Sequence, residues 1–196
     1  MRKIKNLIIN LKWMPASWMN KLVFRLRNID YGKKFKTYGT LFVRGRGKIS
    51  IGDFVTINSC RETNPIGGDT KTILYAKEQG EISIGNHVGI SNVAIIAQES
   101  VVIEDYVMIG AGCKIYDNDF HPLDFKARIE HPNEGINSKP VTIKEGAFIG
   151  AHTIILKGVT IGQRSIIGAG SVVTKSVPDD EIWGGNPAKF IRKLMK

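Results

Sequence analysis

Between Val141 and Val177 the chain repeats every six residues, and this period constrains the fold more than any other feature. Aliphatic side chains stand at Ile143, Ile149, Ile155, Ile161, Ile167 and Val173. Four places after each comes a small or β-branched residue: Ala147, Thr153, Val159, Ser165, Ser171 and Val177. A helix of about 3.6 residues per turn cannot hold every sixth position on one face, so an amphipathic helix is excluded. Plain strand alternation would have no use for the turn-compatible glycines at Gly150, Gly162 and Gly168. Hexapeptide repeats are a signature of the parallel β-helix. Each hexad reads as one short strand and one turn, and about three hexads close a coil.

The same period can be followed upstream. Val43, Ile49, Ile51 and Ile57 enter it, and the register breaks across Cys60 to Gly80 as an excursion or irregular coil. It resumes at Ile84, Ile90 and Ile96, then slips by one residue near Gln98-Glu99, an insertion that a strand array absorbs as a bulge. Ile103, Ile109 and Ile115 form the next coil, and Ile143, Ile149 and Ile155 the one after. The polar, turn-rich stretch 117–140 therefore leaves from a corner between two coils. Long loops on a rigid scaffold are where function concentrates.

Residues 1–30 predict two helical pieces. Ile4, Leu7, Ile8 and Leu11 make one apolar stripe, ended by Pro15. Ser17 is placed to cap a second helix carrying Trp18, Leu22, Val23 and Leu26. These helices suit either a cap over the open end of the solenoid or a basic amphipathic foot on an anionic membrane surface. Pro187 to Lys196 fits a short amphipathic helix with Phe190, Ile191 and Leu194 apolar. The expected organisation is a basic helical segment at 1–38, a β-helix at 39–186 with the loop 117–140 inserted, and a C-terminal helix at 187–196.

Charge bears on partners because it is unevenly spread. Residues 1–48 hold 13 Lys or Arg against the single acid Asp30, while the remainder carries 15 basic and 17 acidic residues. The basic excess suits a membrane surface or an anionic substrate carrier. No nucleic-acid recognition motif accompanies it. A hydrophobic content of 42% fits a globular protein. Lys12, Lys21, Arg25 and Arg27 interrupt the apolar N-terminus, and no signal peptide is recognised, so a cytoplasmic location is expected. Cys60 and Cys113 make no disulfide framework, and Cys113 falls on a small-residue site of the repeat, where a buried thiol is expected.

The repeat, the loop segment DNDFHP and the ending GAGSVVTKSVPDDEIWGGNPAKFIRKL together resemble the hexapeptide-repeat acyltransferases, and among them the maltose, galactoside and capsular-polysaccharide O-acetyltransferases. The match runs from about Gly45 to the C-terminus. The resemblance implies an all-β fold, a left-handed parallel β-helix, assembled as a homotrimer with active sites between subunits. It implies acetyl-CoA as cosubstrate and transfer of an acetyl group to a hydroxyl of a sugar or surface-polysaccharide precursor; no metal is expected, because the histidines are scattered along the chain.

His121 matches the family's catalytic histidine. A base working near neutral pH can take the hydroxyl proton as the oxygen attacks the thioester. Asp119 or Asp117 would orient its imidazole; Asp117 is also a candidate for the acceptor. By resemblance the amide of Ala151 donates to the oxyanion, and Phe148, where some relatives have Trp, packs against the acceptor. Pantetheine is expected along Ala151 and Ala169. Thr174 and Lys175 match positions at the adenine and 3′-phosphate, and Lys189 and Arg192 match cations near the phosphates. Trp183 is placed either to flank the adenine or to pack the tail. His87, His131 and His152 lack the motif. Three other readings stand beside it: an N-acetyltransferase on an amino sugar or antibiotic, a metal-dependent hydratase, and a non-catalytic scaffold.

Overall fold

The computed structural model describes residues 2–195, with side chains from residue 12 onward. Short parallel strands stack into three sheets, arranged as in a left-handed β-helix, with an N-terminal helix and the 117–140 insertion. The first sheet runs over six strands, from Asp30–Tyr31 to Thr160–Ile161. The third also has six, from Phe42–Arg44 to Val172–Val173, and the second has eight, from Lys36–Tyr38 to the terminal Lys189–Lys193.

The ladders pair like with like: Ile103 with Ile143, Ile109 with Ile149, and Ile115 with Ile155. Every small residue of the repeat, from Ala147 to Val177, is at most 3% exposed. The six-residue period is thus a packing rule. One or two aliphatic side chains per strand fill the prism, and a small residue at each corner lets the chain turn without leaving a void.

Four expectations are corrected. The N-terminus is one helix, α1 (Arg2–Leu26), running through Pro15. Pro15 is exposed, so its missing N–H costs a helical bond without disturbing a packed contact. Ser17 is therefore mid-helix, and the stripe Ile4 to Leu11 lies outside the described side chains. The first coil begins at Asp30, before residue 39. The extra residue at Gln98-Glu99 falls at a corner between unbroken strands, Ala94–Ala97 and Ser100–Ile103, with no bulge.

The fourth correction is at the C-terminus, where Lys189–Lys193 is a strand, antiparallel to Glu181–Gly184. The turn over residues 185–188 reverses the chain onto a sheet edge whose backbone groups lack partners, and pairing there outweighs a short isolated helix. The excursion after Cys60 also proves shorter than its break in register. Ile73–Ala76 is an ordinary strand of the third sheet.

Helix α1 closes the first coil through one face. Asn20, 2% exposed, donates from Nδ2 to Thr37 Oγ1 (3.0 Å) and to the Gly39 carbonyl (2.9 Å), and accepts from the Leu41 amide (3.0 Å). Phe24 is fully buried, with its ring 5.7 Å from Tyr31 and 5.6 Å from Phe35. Among the described residues no helix is long and apolar enough to cross a membrane.

Candidate active site

The insertion leaves the third sheet after Lys114–Tyr116 and rejoins the first at Val141–Ile143. Its two stems zip together: the Lys139 amide donates to the Asp117 carbonyl (2.8 Å), and the Asp119 amide to Asn137 (3.1 Å). Beyond the stem lies helix α2 (Phe125–Glu130), N-capped by the Asp124 carboxylate on the Ala127 amide.

His121 sits on this loop and is exposed. Phe120, at φ +64°, turns the chain so that the His121 amide reaches the Asp119 carbonyl (2.7 Å). The Phe120 ring meets Tyr116 edge to face, 4.9 Å between centroids. His121 Nδ1 lies 3.0 Å from the Pro132 carbonyl. A carbonyl only accepts, so this bond places the proton on Nδ1 and leaves Nε2 as the basic nitrogen.

Neither aspartate orients that ring. Asp117 is fully buried. Its Oδ1 accepts from the Gln98 amide and Asn118 Nδ2, both at 2.8 Å, and its Oδ2 from Gln98 (2.9 Å) and Glu99 (2.7 Å). With its oxygens taken up in this way, the carboxylate ties the loop root to the preceding corner. Asp119 pairs with Lys157 Nζ through Oδ1, and its buried Oδ2 has no hydrogen-bond partner. The group that holds the His121 ring is instead the backbone carbonyl of Pro132, two residues beyond α2.

Sequence reasoning missed Lys157, although a signal was present. Ile115 pairs with Ile155, so counting two onward sets Lys157 at the corner above Asp117 and beside the loop root. Pro132 carried no such signal, because only the folded loop brings its carbonyl back to His121.

The other expected residues divide between two edges of the prism. Thr174 and Lys175 follow Val172–Val173 and share the third-to-first-sheet edge with the insertion and Lys157; both are exposed. Ala151 and Ala169 stand on the second-to-third-sheet edge, after Phe148–Ile149 and Ile166–Ile167. The Ala151 carbonyl accepts from the Gly170 amide (2.8 Å), while its own N–H donates to no acceptor among the described residues. A Cβ on Gly110 would lie 2.6 Å from that Ala151 nitrogen, so glycine one coil earlier keeps the amide accessible.

Phe148 is 46% exposed on the second sheet, flanked in register by Met108 and Ile166. Lys189 and Arg192 are exposed on the terminal strand. Trp183 instead packs against the core, and its Nε1 donates to Glu181 Oε2 (2.8 Å). No hydrogen bond joins His121 to Ala151 among the described residues, and the two stand on different edges. Nor do three His, Cys, Asp or Glu side chains converge on a metal-sized site among the described residues.

His87 is stacked between Phe54 and Tyr106, at 4.6 and 4.8 Å, along the remaining edge. Cys113 is fully buried at the repeat's small site, its Sγ donating to the Gly150 carbonyl (3.1 Å); burial pushes the thiol up to about 11.

Comparison with known proteins adds the following. Residues 140–175 match the family model described as bacterial transferase hexapeptide (six repeats). CapG of Staphylococcus aureus is 44% identical over 94 residues, covering 48% of this chain and 53% of that protein. The chain spans about half the length of the curated relatives it matches. A variant of AntD, an N-acyltransferase from Bacillus cereus solved with dTDP and coenzyme A, superposes with a TM-score of 0.68 at 27% identity, covering 85% of this chain and 84% of that one. A hexapeptide-repeat acetyltransferase of Vibrio cholerae, solved with acetyl coenzyme A, gives 0.54 at 27% identity over 85% of this chain and 72% of that one.

Proposed function

The chain belongs to the hexapeptide-repeat acetyltransferase family, and from that premise we propose that it transfers an acetyl group from acetyl-CoA to a hydroxyl of a sugar or surface-polysaccharide precursor. The observation that carries the reading is His121. It lies on the inserted loop with Nδ1 committed to the Pro132 carbonyl, so Nε2 is the free base. The acceptor O–H gives its proton to Nε2 as its oxygen attacks the thioester carbonyl. The tetrahedral oxyanion takes a hydrogen bond from the Ala151 amide. Its collapse expels the CoA sulfur, which receives the proton from the imidazolium, leaving an acetyl ester and free CoA. Transfer is direct, without an acyl-enzyme.

His121 and Ala151 occupy different edges of one prism, which supports a homotrimer in which one subunit supplies the base and a neighbour the oxyanion donor. Phe148 then borders the acceptor. Ala151 and Ala169 line the pantetheine, and Thr174, Lys175, Lys189 and Arg192 face the CoA phosphates and adenine. The protein works in the cytoplasm.

A second reading has its own support. The likeness to AntD, an N-acyltransferase seen with dTDP, extends over 85% of this chain and favours an amine acceptor on a nucleotide-linked sugar. Acceptor profiling with hydroxyl and amino sugars separates the two. The test common to both is His121→Ala. It should bind acetyl-CoA as the native protein does and lose about 10²–10⁴-fold in kcat, the range for a removed general base. Unchanged turnover would overturn His121 as base. Absence of acetyl-CoA binding by the native protein would overturn the transferase.

A further inference from the structure

Capping uses only one face of α1. Asn20 and Phe24 point to the first coil and are buried. On the other side Met14, Trp18, Leu22 and Leu26 follow one another at four-residue steps and are 48%, 69%, 55% and 75% exposed. Side chains four apart on a helix lie along one face, so these four form a continuous apolar stripe. Lys21 and Arg25, also four apart, run beside it, and among the described residues neither has an acidic partner. Trp18, Leu22, Ile29 and Tyr31, with Lys21 and Arg25 at the rim, line a shallow groove along the helix.

We propose that this outer face of α1 is a docking surface for an anionic lipid bilayer. Three observations select that occupant. The stripe contains Trp18, whose amphipathic ring suits the headgroup region, and aliphatic residues that can enter the acyl boundary. Cations flank it where lipid phosphates would lie. The segment around it, residues 1–48, holds 13 basic residues against one acid, so the field over this end of the prism attracts a negative surface. Charge complementarity of this kind does not favour a second copy of the same basic end.

The consequence for function is one of distance. The insertion leaves between the fourth and fifth coils. Helix α1 adds its own diameter of about 10 Å to three or four coils at about 4.8 Å each, so the edge carrying His121 stands roughly 25–30 Å above a bilayer lying on α1. An acceptor whose own carrier spans that distance can be held at the membrane and still meet this edge. The docking surface is nevertheless independent of the acyl-transfer reading, and its test does not use activity.

The full-length protein is floated with vesicles of phosphatidylcholine alone, and with vesicles containing about 30% phosphatidylglycerol, the anionic charge being the term tested. Binding to the anionic vesicles should exceed binding to the neutral ones by about ten-fold or more, and should fall in high salt. Two variants dissect it: Trp18→Ser with Leu22→Ser removes apolar contact, and Lys21→Gln with Arg25→Gln removes charge. All four side chains are exposed, so both variants should keep the native unfolding midpoint while each loses about ten-fold in partition. Equal binding to both vesicle types would overturn the proposal. So would serine variants that float like the native protein, or that lower its mass in solution, which would make the stripe a contact between copies.

Discussion

Replacing Asp117 by Asn exchanges one carboxylate oxygen for an NH2 group at the root of the inserted loop, and its cost can be worked from the hydrogen bonds. The carboxylate takes four contacts of 2.7–2.9 Å from three donors: the Gln98 and Glu99 amides and Asn118 Nδ2. In either orientation the new NH2 faces a donor, Glu99 N–H on one side or Asn118 Nδ2 on the other. Asn118 cannot flip to help, because its Oδ1 already accepts from the Phe120 amide (3.0 Å). At least one bond to a charged acceptor, about 1.5–3 kcal/mol, is lost and the others lose their ionic component. A total near 3 kcal/mol corresponds to a midpoint lowered by about 6–12 °C in a chain of this size. The Lys139 amide rests on the Asp117 carbonyl, so the loop shifts with its root and kcat falls by about ten-fold or more. Calorimetry with steady-state kinetics checks both. A midpoint within about 2 °C of native, with only the acceptor KM raised, would refute the structural role and return Asp117 to the acceptor site.

Two further outcomes follow from ionisable groups. At pH 8 a maleimide should label Cys60, which is half-buried, and leave Cys113 untouched, because burial holds that thiol near 11 and the thiolate is the nucleophile; mass spectrometry should show one adduct folded and two after unfolding. The Asp105 carboxyl is held below the usual range, chiefly by hydrogen bonds from the Asn86 backbone N–H (2.7 Å) and side chain. Its stabilisation is therefore complete above the ordinary carboxyl range and disappears as pH falls through the lowered value. The difference in midpoint between native and Asp105→Asn should shrink steadily as pH is lowered below about 4, and a constant difference would refute it.

The repeat made the prism legible because the strands from Val141 to Val173 obey one local rule: an aliphatic residue inward, a small residue at the corner. Ile143 to Val173 could be assigned without any long-range information, and so could the place where the loop departs. The elements misread are those decided by what the chain meets elsewhere. Phe190, Ile191 and Leu194 have helical spacing, yet the open edge at Glu181–Gly184 turns their segment into a strand. Pro15 looked like a stop, yet α1 continues because the packing at Asn20 and Phe24 does not pass through it.

At the site the division is sharper. His121 was readable as a candidate base from its motif, and Ala151 as a candidate donor from the family resemblance. What holds the imidazole was not readable, since the Pro132 carbonyl reaches Nδ1 only after eleven residues of loop have folded back. Asp117 and Asp119 look equivalent as letters two apart. Folding buries the first among amide donors and pairs the second with Lys157. The sequence by itself determined the period, the coil count around the insertion, the excess of positive charge and the residue types available for chemistry, because each is a property of neighbours along the chain. Only the tertiary structure decided which carboxylate is structural, which nitrogen of His121 is basic and which face of α1 is left to solvent, because each depends on atoms far apart in sequence that compete for the same hydrogen bond or the same buried space.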